Sequence, residues 1–370
     1  MKVIFAGGGT GGHINPALSI ANYIKEKEAD FEALFIGTRR GLETRLVPAA
    51  GYNIEYIDIQ GFDRKHLLHN IEVLKKLERS KRRCRDIIDE FKPDVIVCTG
   101  GYVSGPVAMA AHKLGIPSLI HEQNVYPGLT VKGSLNYVDY VAVSFPETIQ
   151  HMRNSSKCVL TGNPVREELL KADYGKARKK LKLSEKPYVL IFGGSLGAQK
   201  INENTVKMLP KLIEDGRVQL LFGTGERNYE AITELLRGVN LPPDFRIVPY
   251  INNMPDEMAA ADLVVSRSGA ITVSEIAALG KPSILIPSPN VVRNHQEQNA
   301  RAFEKMGAAA VICEEELSPD LLYKKISELT QDKNKLLEMS ENVKRLANPE
   351  ALEKLYDTVK KCVEKGKHRS

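Results

Sequence analysis

The chain has 370 residues, 42% hydrophobic and 26% charged, the balance of an ordinary soluble globular protein long enough for two domains with a full core each. A net charge of +6 suits acidic partners such as phosphates or anionic lipid, while 6% aromatics and no Trp leave little for stacking bases, so no nucleic acid partner is expected. No stretch reaches the ~18 uninterrupted apolar residues of a membrane span, the scattered Cys84, Cys98, Cys158, Cys313 and Cys362 read as reduced thiols of a cytosolic protein, and the short apolar run before the first glycine indicates no export signal.

The first predicted elements are a strand over Met1–Ala6, a loop over Gly7–Gly12 and a helix that opens beside His13. Glycines let the backbone approach a ligand closely, and the amides at the start of a helix carry partial positive charge suited to a phosphate. Gly7-x-Gly9-x-x-Gly12 also satisfies the dinucleotide-binding spacing. That reading wants a carboxylate at the end of the second strand to hold a ribose. The second strand, Phe31 to Ile36, runs instead into Gly37-Thr38-Arg39-Arg40, which argues against NAD, though an Arg would suit NADP.

From Lys65 to Arg85 a helix is expected, with Leu67, Leu68, Ile71, Leu74 and Leu77 at helical spacing among Lys65, Lys75, Lys76, Arg79, Lys81, Arg82, Arg83 and Arg85. It is either a basic amphipathic helix lying on anionic lipid or a surface helix packing its apolar stripe on a sheet. A second glycine loop, Gly100-Gly101-Tyr102-Val103-Ser104-Gly105-Pro106, follows an apolar strand and precedes a helix. Its glycines clear room and Ser104 can bind an oxygen, so it reads as a second anion seat. His121-Glu122-Gln123-Asn124 follows a strand over Ser118–Ile120. His121 and Glu122 read as a pair tying strand to loop, Glu122 also as a candidate base, and Asn124 as a partner for a sugar hydroxyl.

The second half echoes the first. Tyr188-Val189-Leu190-Ile191-Phe192-Gly193-Gly194-Ser195-Leu196-Gly197 answers the opening strand and loop, and Asp262 to Gly269 answers Asp94 to Gly101. Short β-branched runs alternating with helical patterns imply parallel strands covered on both faces. The expected architecture is α/β: two doubly wound parallel-sheet domains, residues 1–163 and 164–348, with a helix over 349–365 completing the first. Ligands bind beyond the carboxyl ends of such strands, so the loops of both halves are expected at a common cleft. In Arg267 to Glu275 the loop can read a base edge through its backbone. Glu275, three residues after Thr272, either caps a helix or holds two ribose hydroxyls. The amide-rich run His295 to Ala300, with Gln296, suits neutral sugar hydroxyls.

No Asp-x-Asp and no metal-ligand spacing occurs, so no metal and no cofactor is expected, and a leaving phosphate falls to amides, helix dipoles and Arg. The pattern fits transfer from a nucleotide sugar to an alcohol that a base deprotonates. His13 is the first candidate, because a helix N-terminus disfavours its imidazolium; Glu122 is the rival.

Taken together, Gly7 to Pro16, Gly100 to Pro106, His121 to Asn124, Gly162 to Arg166, Gly193 to Ala198, Arg267 to Glu275 and His295 to Ala300 resemble the MurG family of UDP-N-acetylglucosamine transferases of bacterial cell-wall synthesis. The resemblance implies a GT-B fold whose two Rossmann-like domains face a deep cleft. It implies transfer of N-acetylglucosamine from UDP-GlcNAc to the 4-hydroxyl of lipid I, undecaprenyl-pyrophosphoryl-MurNAc-pentapeptide, giving lipid II with inversion. The acceptor's pyrophosphate would sit on the loops of Gly9, Gly100, Gly101, Tyr102 and Ser104. Arg166, Ser195, Ile251, Ala270, Ile271, Thr272, Glu275 and Gln296 would hold the donor, with Thr10, Gly11, Gly12 and Asn124 bordering its sugar. A peripheral place on the cytoplasmic side of an anionic membrane and contacts with cell-wall synthesis proteins are implied as well. Two departures stand out: Leu196 where other members carry Gln, and His295-Gln296 where some carry a Gln pair. A diacylglycerol glycosyltransferase, a UDP-GlcNAc 2-epimerase and a non-catalytic sugar-nucleotide sensor are the alternatives.

Overall fold

A computed structural model describes residues 1–61, 69–194, 197–291 and 294–368, except for the side chains of residues 69–71. The chain divides into two units, Met1–Pro164 with Glu350–Ser370, and Val165–Pro349.

The first unit is built on a parallel sheet of β1 (Lys2–Gly7), β2 (Glu32–Gly37), β3 (Asn53–Tyr56), β4 (Val95–Gly100), β5 (Ser118–Glu122), β6 (Tyr140–Val143) and β7 (Cys158–Leu160), in the order β3-β2-β1-β4-β5-β6-β7. Val3 and Phe5 point to one face, into a core with Ile14, Ala17, Ile20, Ala21 and Ile24 of helix Gly11–Lys27 and with Leu355, Val359 and Cys362 of helix Ala351–Lys367. Ile4 and Ala6 point to the other, against Cys84, Ile87 and Ile88 of helix His69–Phe91 and Val107, Ala108 and Ala111 of helix Ser104–Leu114. Period-two alternation with both faces covered is why β1 reads as one unbroken apolar run.

The second unit repeats the plan with β8 (Tyr188–Phe192), β9 (Gln219–Gly223), β10 (Phe245–Val248), β11 (Leu263–Ser266), β12 (Ser283–Leu285) and β13 (Ala309–Val311), in the order β10-β9-β8-β11-β12-β13. In each unit the strand order reverses beside the first strand, between β1 and β4 and between β8 and β11. Such a reversal opens a crevice at the strands' carboxyl ends, and all four glycine-bearing loops singled out above leave those four strands.

The opposite ends of the strands share a register device. Asp94, just before β4, accepts the Lys2 amide at 2.7 Å; Asp139, just before β6, accepts that of Ser118 at 3.0 Å; Asp262, just before β11, accepts that of Tyr188 at 2.7 Å. Each carboxylate satisfies an amide that the ladder leaves over where one strand begins beside another.

Two local expectations differ from what is observed. β5 continues through His121 and Glu122, in register with β6 up to Glu122 opposite Val143, so these are strand residues. On helix His69–Phe91 the buried stripe is Val73, Ser80, Cys84, Ile87 and Ile88, whereas Leu74 is 52% exposed. Leu67 and Leu68 and the Ile71 side chain lie outside the described residues.

Candidate functional site

In the first unit the loops after β1 and β4 pack directly on each other. A Cβ on Gly101, whose φ is +75°, would lie 2.5 Å from the Gly8 carbonyl oxygen, and one on Gly100, at φ +108°, would lie 2.5 Å from His13 Nδ1. Gly100 is thus required by the imidazole laid against it as much as by its left-handed backbone. His13 is the third residue of helix Gly11–Lys27, and its amide donates to the Thr10 carbonyl at 3.1 Å. Its Nδ1 lies 3.0 Å from the carbonyl oxygen of Thr99 on β4. A carbonyl only accepts, so Nδ1 carries the proton and Nε2 is the ring's basic nitrogen. Gly9, Thr10 and Gly12 are exposed, Gly11 and His13 half-buried, and Tyr102 is exposed.

Glu43 is a functional candidate that the sequence conceals. No carboxylate occurs in the strand end Gly37 to Arg40, yet the turn that follows folds Glu43 back onto it. The side chain is fully buried; Oε1 accepts the Thr38 amide at 2.9 Å and hydroxyl at 2.8 Å, and Oε2 accepts the Gly9 amide at 2.9 Å. Cβ atoms on Gly8, Gly37 or Gly41 would each come within 2.6 Å of this side chain. The carboxylate sits where a dinucleotide site keeps its ribose-binding acid, with both oxygens committed to the protein itself.

Ser104, expected to face a phosphate, is fully buried. Its hydroxyl accepts the Gly100 amide at 3.0 Å and lies 3.0 Å from the Ala6 carbonyl oxygen and 2.9 Å from that of Gly100, so it staples the ends of β1 and β4. His121, Glu122 and Gln123 are buried as well, the first two because β5 carries them into the sheet and Gln123 directly after its end. Burial pushes the His121 pKa down to about 4, and the neutral ring sets Nε2 3.1 Å from both the Gly162 carbonyl and the Ser144 hydroxyl. Burial also raises the Glu122 pKa against the amides it binds. Its Oε1 accepts the Asn124 amide at 2.9 Å and side chain at 3.1 Å, and Oε2 accepts the Gly128 amide at 2.7 Å. Glu122 clamps the loop after β5, and Asn124 is tied into that clamp.

In the second unit the loop after β8 turns through Gly194 at φ +93° and Gly197 at φ +75°, where a Cβ would lie 2.1 Å from the Thr224 carbonyl oxygen. Ser195 lies outside the described residues. Helix Ala270–Ala278 begins directly after Gly269, so Thr272 is inside its first turn and cannot be the capping partner of Glu275. The Glu275 carboxylate accepts instead from Arg166 Nε and Nη2 at 3.2 and 3.1 Å. Its pKa is raised, burial outweighing the guanidinium. Ala270 is buried and Ile271 and Thr272 are half-buried. Ile251 is buried after β10, its Cδ1 2.8 Å from where a Cβ on Gly223 would stand. Gln296 joins two loops: its carbonyl accepts the Ser268 hydroxyl at 2.8 Å and its Oε1 the Ser288 amide at 2.9 Å. Among the described residues no group of three or more His, Cys, Asp or Glu side chains is placed to hold a metal ion.

Residues 3–143 match the model of the glycosyltransferase family 28 N-terminal domain, and residues 188–357 that of the family 28 C-terminal domain. A relative from Acetivibrio thermocellus is 49% identical over 361 residues, covering 97% of this chain and 98% of its own. One from Ruminiclostridium cellulolyticum is 47% identical over 365 residues, 98% of this chain and 100% of its own. Both are named UDP-N-acetylglucosamine--N-acetylmuramyl-(pentapeptide) pyrophosphoryl-undecaprenol N-acetylglucosamine transferase. The crystal structure of Acinetobacter baumannii MurG aligns with a TM-score of 0.79 at 28% identity, over 97% of this chain and 99% of that one. A UDP-GlcNAc 2-epimerase from Neisseria meningitidis, bound to UDP-GlcNAc, aligns at 0.66 with 14% identity over 98% of this chain and 100% of that one, a likeness of fold alone.

Proposed function

The chain belongs to glycosyltransferase family 28, and we propose from that premise how it performs the reaction its relatives are named for. It is a UDP-GlcNAc-dependent N-acetylglucosaminyltransferase that passes the sugar to lipid I and forms lipid II. In the proposed mechanism the transfer is a single displacement. Nε2 of His13 takes the proton of the acceptor's 4-hydroxyl as that oxygen bonds to the anomeric carbon. The bond from that carbon to the β-phosphate oxygen breaks, UDP leaves with the electron pair, and the anomeric centre inverts. Metal is not needed in this scheme, because amides, helix N-termini and Arg meet the charge on the diphosphates.

The observation that carries this reading is the bond from His13 Nδ1 to the Thr99 carbonyl at 3.0 Å. It presents a basic nitrogen at a helix start, beside two glycine loops at the point where strand order reverses. Glu122 is less suited to the base's role, because the Asn124 and Gly128 amides occupy both its oxygens. The acceptor's pyrophosphate is assigned to the first-turn amides of Gly11 and Gly12 and to the Gly100, Gly101 and Tyr102 loop, with Ser104 holding that loop from beneath. Gly9 contributes open space, since its amide is turned to Glu43. Arg166, Ser195, Ile251, Ala270, Ile271, Thr272, Glu275 and Gln296 are assigned to the donor, with Glu275 on the ribose, and Thr10, Gly11, Gly12 and Asn124 to the sugar's border. Among the described residues no helix is long and apolar enough to cross a membrane. The proposed route to the lipid-linked acceptor is attachment of the first unit to the anionic cytoplasmic face of the membrane.

Replacing His13 by Ala tests the mechanism. Turnover with a short-chain lipid I analogue is expected to fall at least about a hundredfold, while UDP binding measured by calorimetry stays within about twofold. Turnover retained in that variant would remove His13 from the chemistry.

A further inference from the structure

The Thr99 carbonyl oxygen meets two donors, His13 Nδ1 at 3.0 Å and Gln123 Nε2 at 2.8 Å. A carbonyl offers two in-plane lone pairs, so a donor on one restricts the direction from which the other approaches. Gln123 is 3% exposed and fixed at both ends. Its backbone carbonyl accepts Asn163 Nδ2 at 2.9 Å, and its side-chain Nε2 also lies 3.1 Å from His121 Nδ1 and 3.1 Å from the His121 carbonyl oxygen. The neutral His121 ring directs Nε2–H to the Gly162 carbonyl, which leaves Nδ1 as an acceptor. Only the amide orientation with nitrogen toward Thr99 fits; turned over, Gln123 would set its oxygen against three acceptors.

We infer that Gln123 is a positioning residue for the transfer: its amide, oriented by His121, holds the Thr99 carbonyl so that His13 keeps its Nδ1–H tautomer and aims Nε2 at the acceptor hydroxyl. This rests on the reading of His13 as the base. Gln123 itself touches no substrate. Its work is to keep a hydrogen bond that a half-buried ring could otherwise exchange for water or the other tautomer.

The test is a double-substitution cycle on the full chain. Gln123→Met keeps length and removes the amide. It is expected to lower kcat about tenfold to a hundredfold, as a small misplacement of a reacting group does, with KM for UDP-GlcNAc unchanged and the His13 limb of the pH profile displaced. In a His13→Ala background the same substitution is expected to change the residual rate less than about twofold, because the two residues act as a unit. Nitrogen-15 spectra of histidine-labelled protein are expected to show His13 as Nδ1–H in the native chain and as a tautomer mixture in the variant. If Gln123→Met does not fold, Gln123→Glu, which keeps the shape but only accepts when ionised, takes its place with the same expectations. Losses that simply add, an unchanged kcat, or a native His13 protonated at Nε2 would each overturn the proposal. If His13→Ala keeps its turnover the base reading fails; if it loses turnover while the Gln123 effect is additive, only the positioning role fails.

Discussion

Glu43 shows how a buried carboxylate can be structural at the edge of a glycine loop proposed to bind substrate. Its carboxylate serves the Gly9 and Thr38 amides and the Thr38 hydroxyl, and charge-assisted bonds of this kind are about twice as strong as neutral ones. Glu43→Ala leaves these donors without their acceptor, so it should destabilise the first unit by about 2–4 kcal/mol and raise KM for the acceptor. Chemical denaturation with a loss below about 0.5 kcal/mol would contradict that role. His121 makes a second residue-scale prediction. Its pKa in the fold is about 4, below the ~6.5 of an unfolded chain, so the unfolded state binds the extra proton between those values. The stability that neutral His121 contributes is therefore complete above about pH 6.5 and is lost as pH falls toward 4, by about 1 kcal/mol per pH unit. Urea titrations at pH 7 and pH 5 should show that decline, and His121→Asn should flatten it; an equal slope in both proteins would refute the assignment. At the donor side, Glu275→Ala should weaken UDP binding about tenfold to a hundredfold with an unchanged melting temperature. Native affinity in that variant would take the ribose role from Glu275.

Among the elements, helix His69–Phe91 is the one on which the proposed membrane attachment can be tested. Its buried stripe fastens it to the sheet, as any surface helix would be fastened. Several of its cations are spent within the fold: Lys76 lies 3.4 Å from Asp58 and 3.7 Å from Glu72, Arg83 lies 2.8 Å from Glu55, and Lys81 pairs with Glu78. Lys75, Arg79 and Arg82 are exposed, as is Leu74. If this face meets the membrane, charge reversal of Lys75, Arg79 and Arg82 should release the protein from anionic liposomes at low salt, each cation being worth about 1 kcal/mol near such a surface. Retention equal to that of the native chain would assign the helix to packing alone.

Across the whole molecule, the architecture was legible because parallel strands buried on both faces leave a plain signature. The apolar runs Val3–Ala6 and Val189–Phe192, each followed by glycines, are β1 and β8, and both units reverse strand order there. Local structure was legible where it followed chain order, as with the helix that starts at Gly11 beside His13. It was hidden where a fold brings distant residues together. Glu43 reaches Gly9 across 34 positions and Gln123 reaches Thr99 across 24, and no spacing pattern encodes either. Ser104 and Glu122 were visible as polar residues, but their inward direction depends on strand ends that register with a neighbour, which sequence leaves open by a residue or two. Of the two roles open to Glu275, the cap with Thr272 is removed because Gly269 starts that helix three residues earlier.

The most direct test of the account is product formation by the purified chain given UDP-GlcNAc and a short-chain lipid I analogue, with EDTA present and with the analogue omitted as control. UDP release is expected to depend on the acceptor, to persist in EDTA, and to be matched by a disaccharide product of inverted anomeric configuration. Release without acceptor, or an acceptor-dependent rate abolished by EDTA, would contradict it.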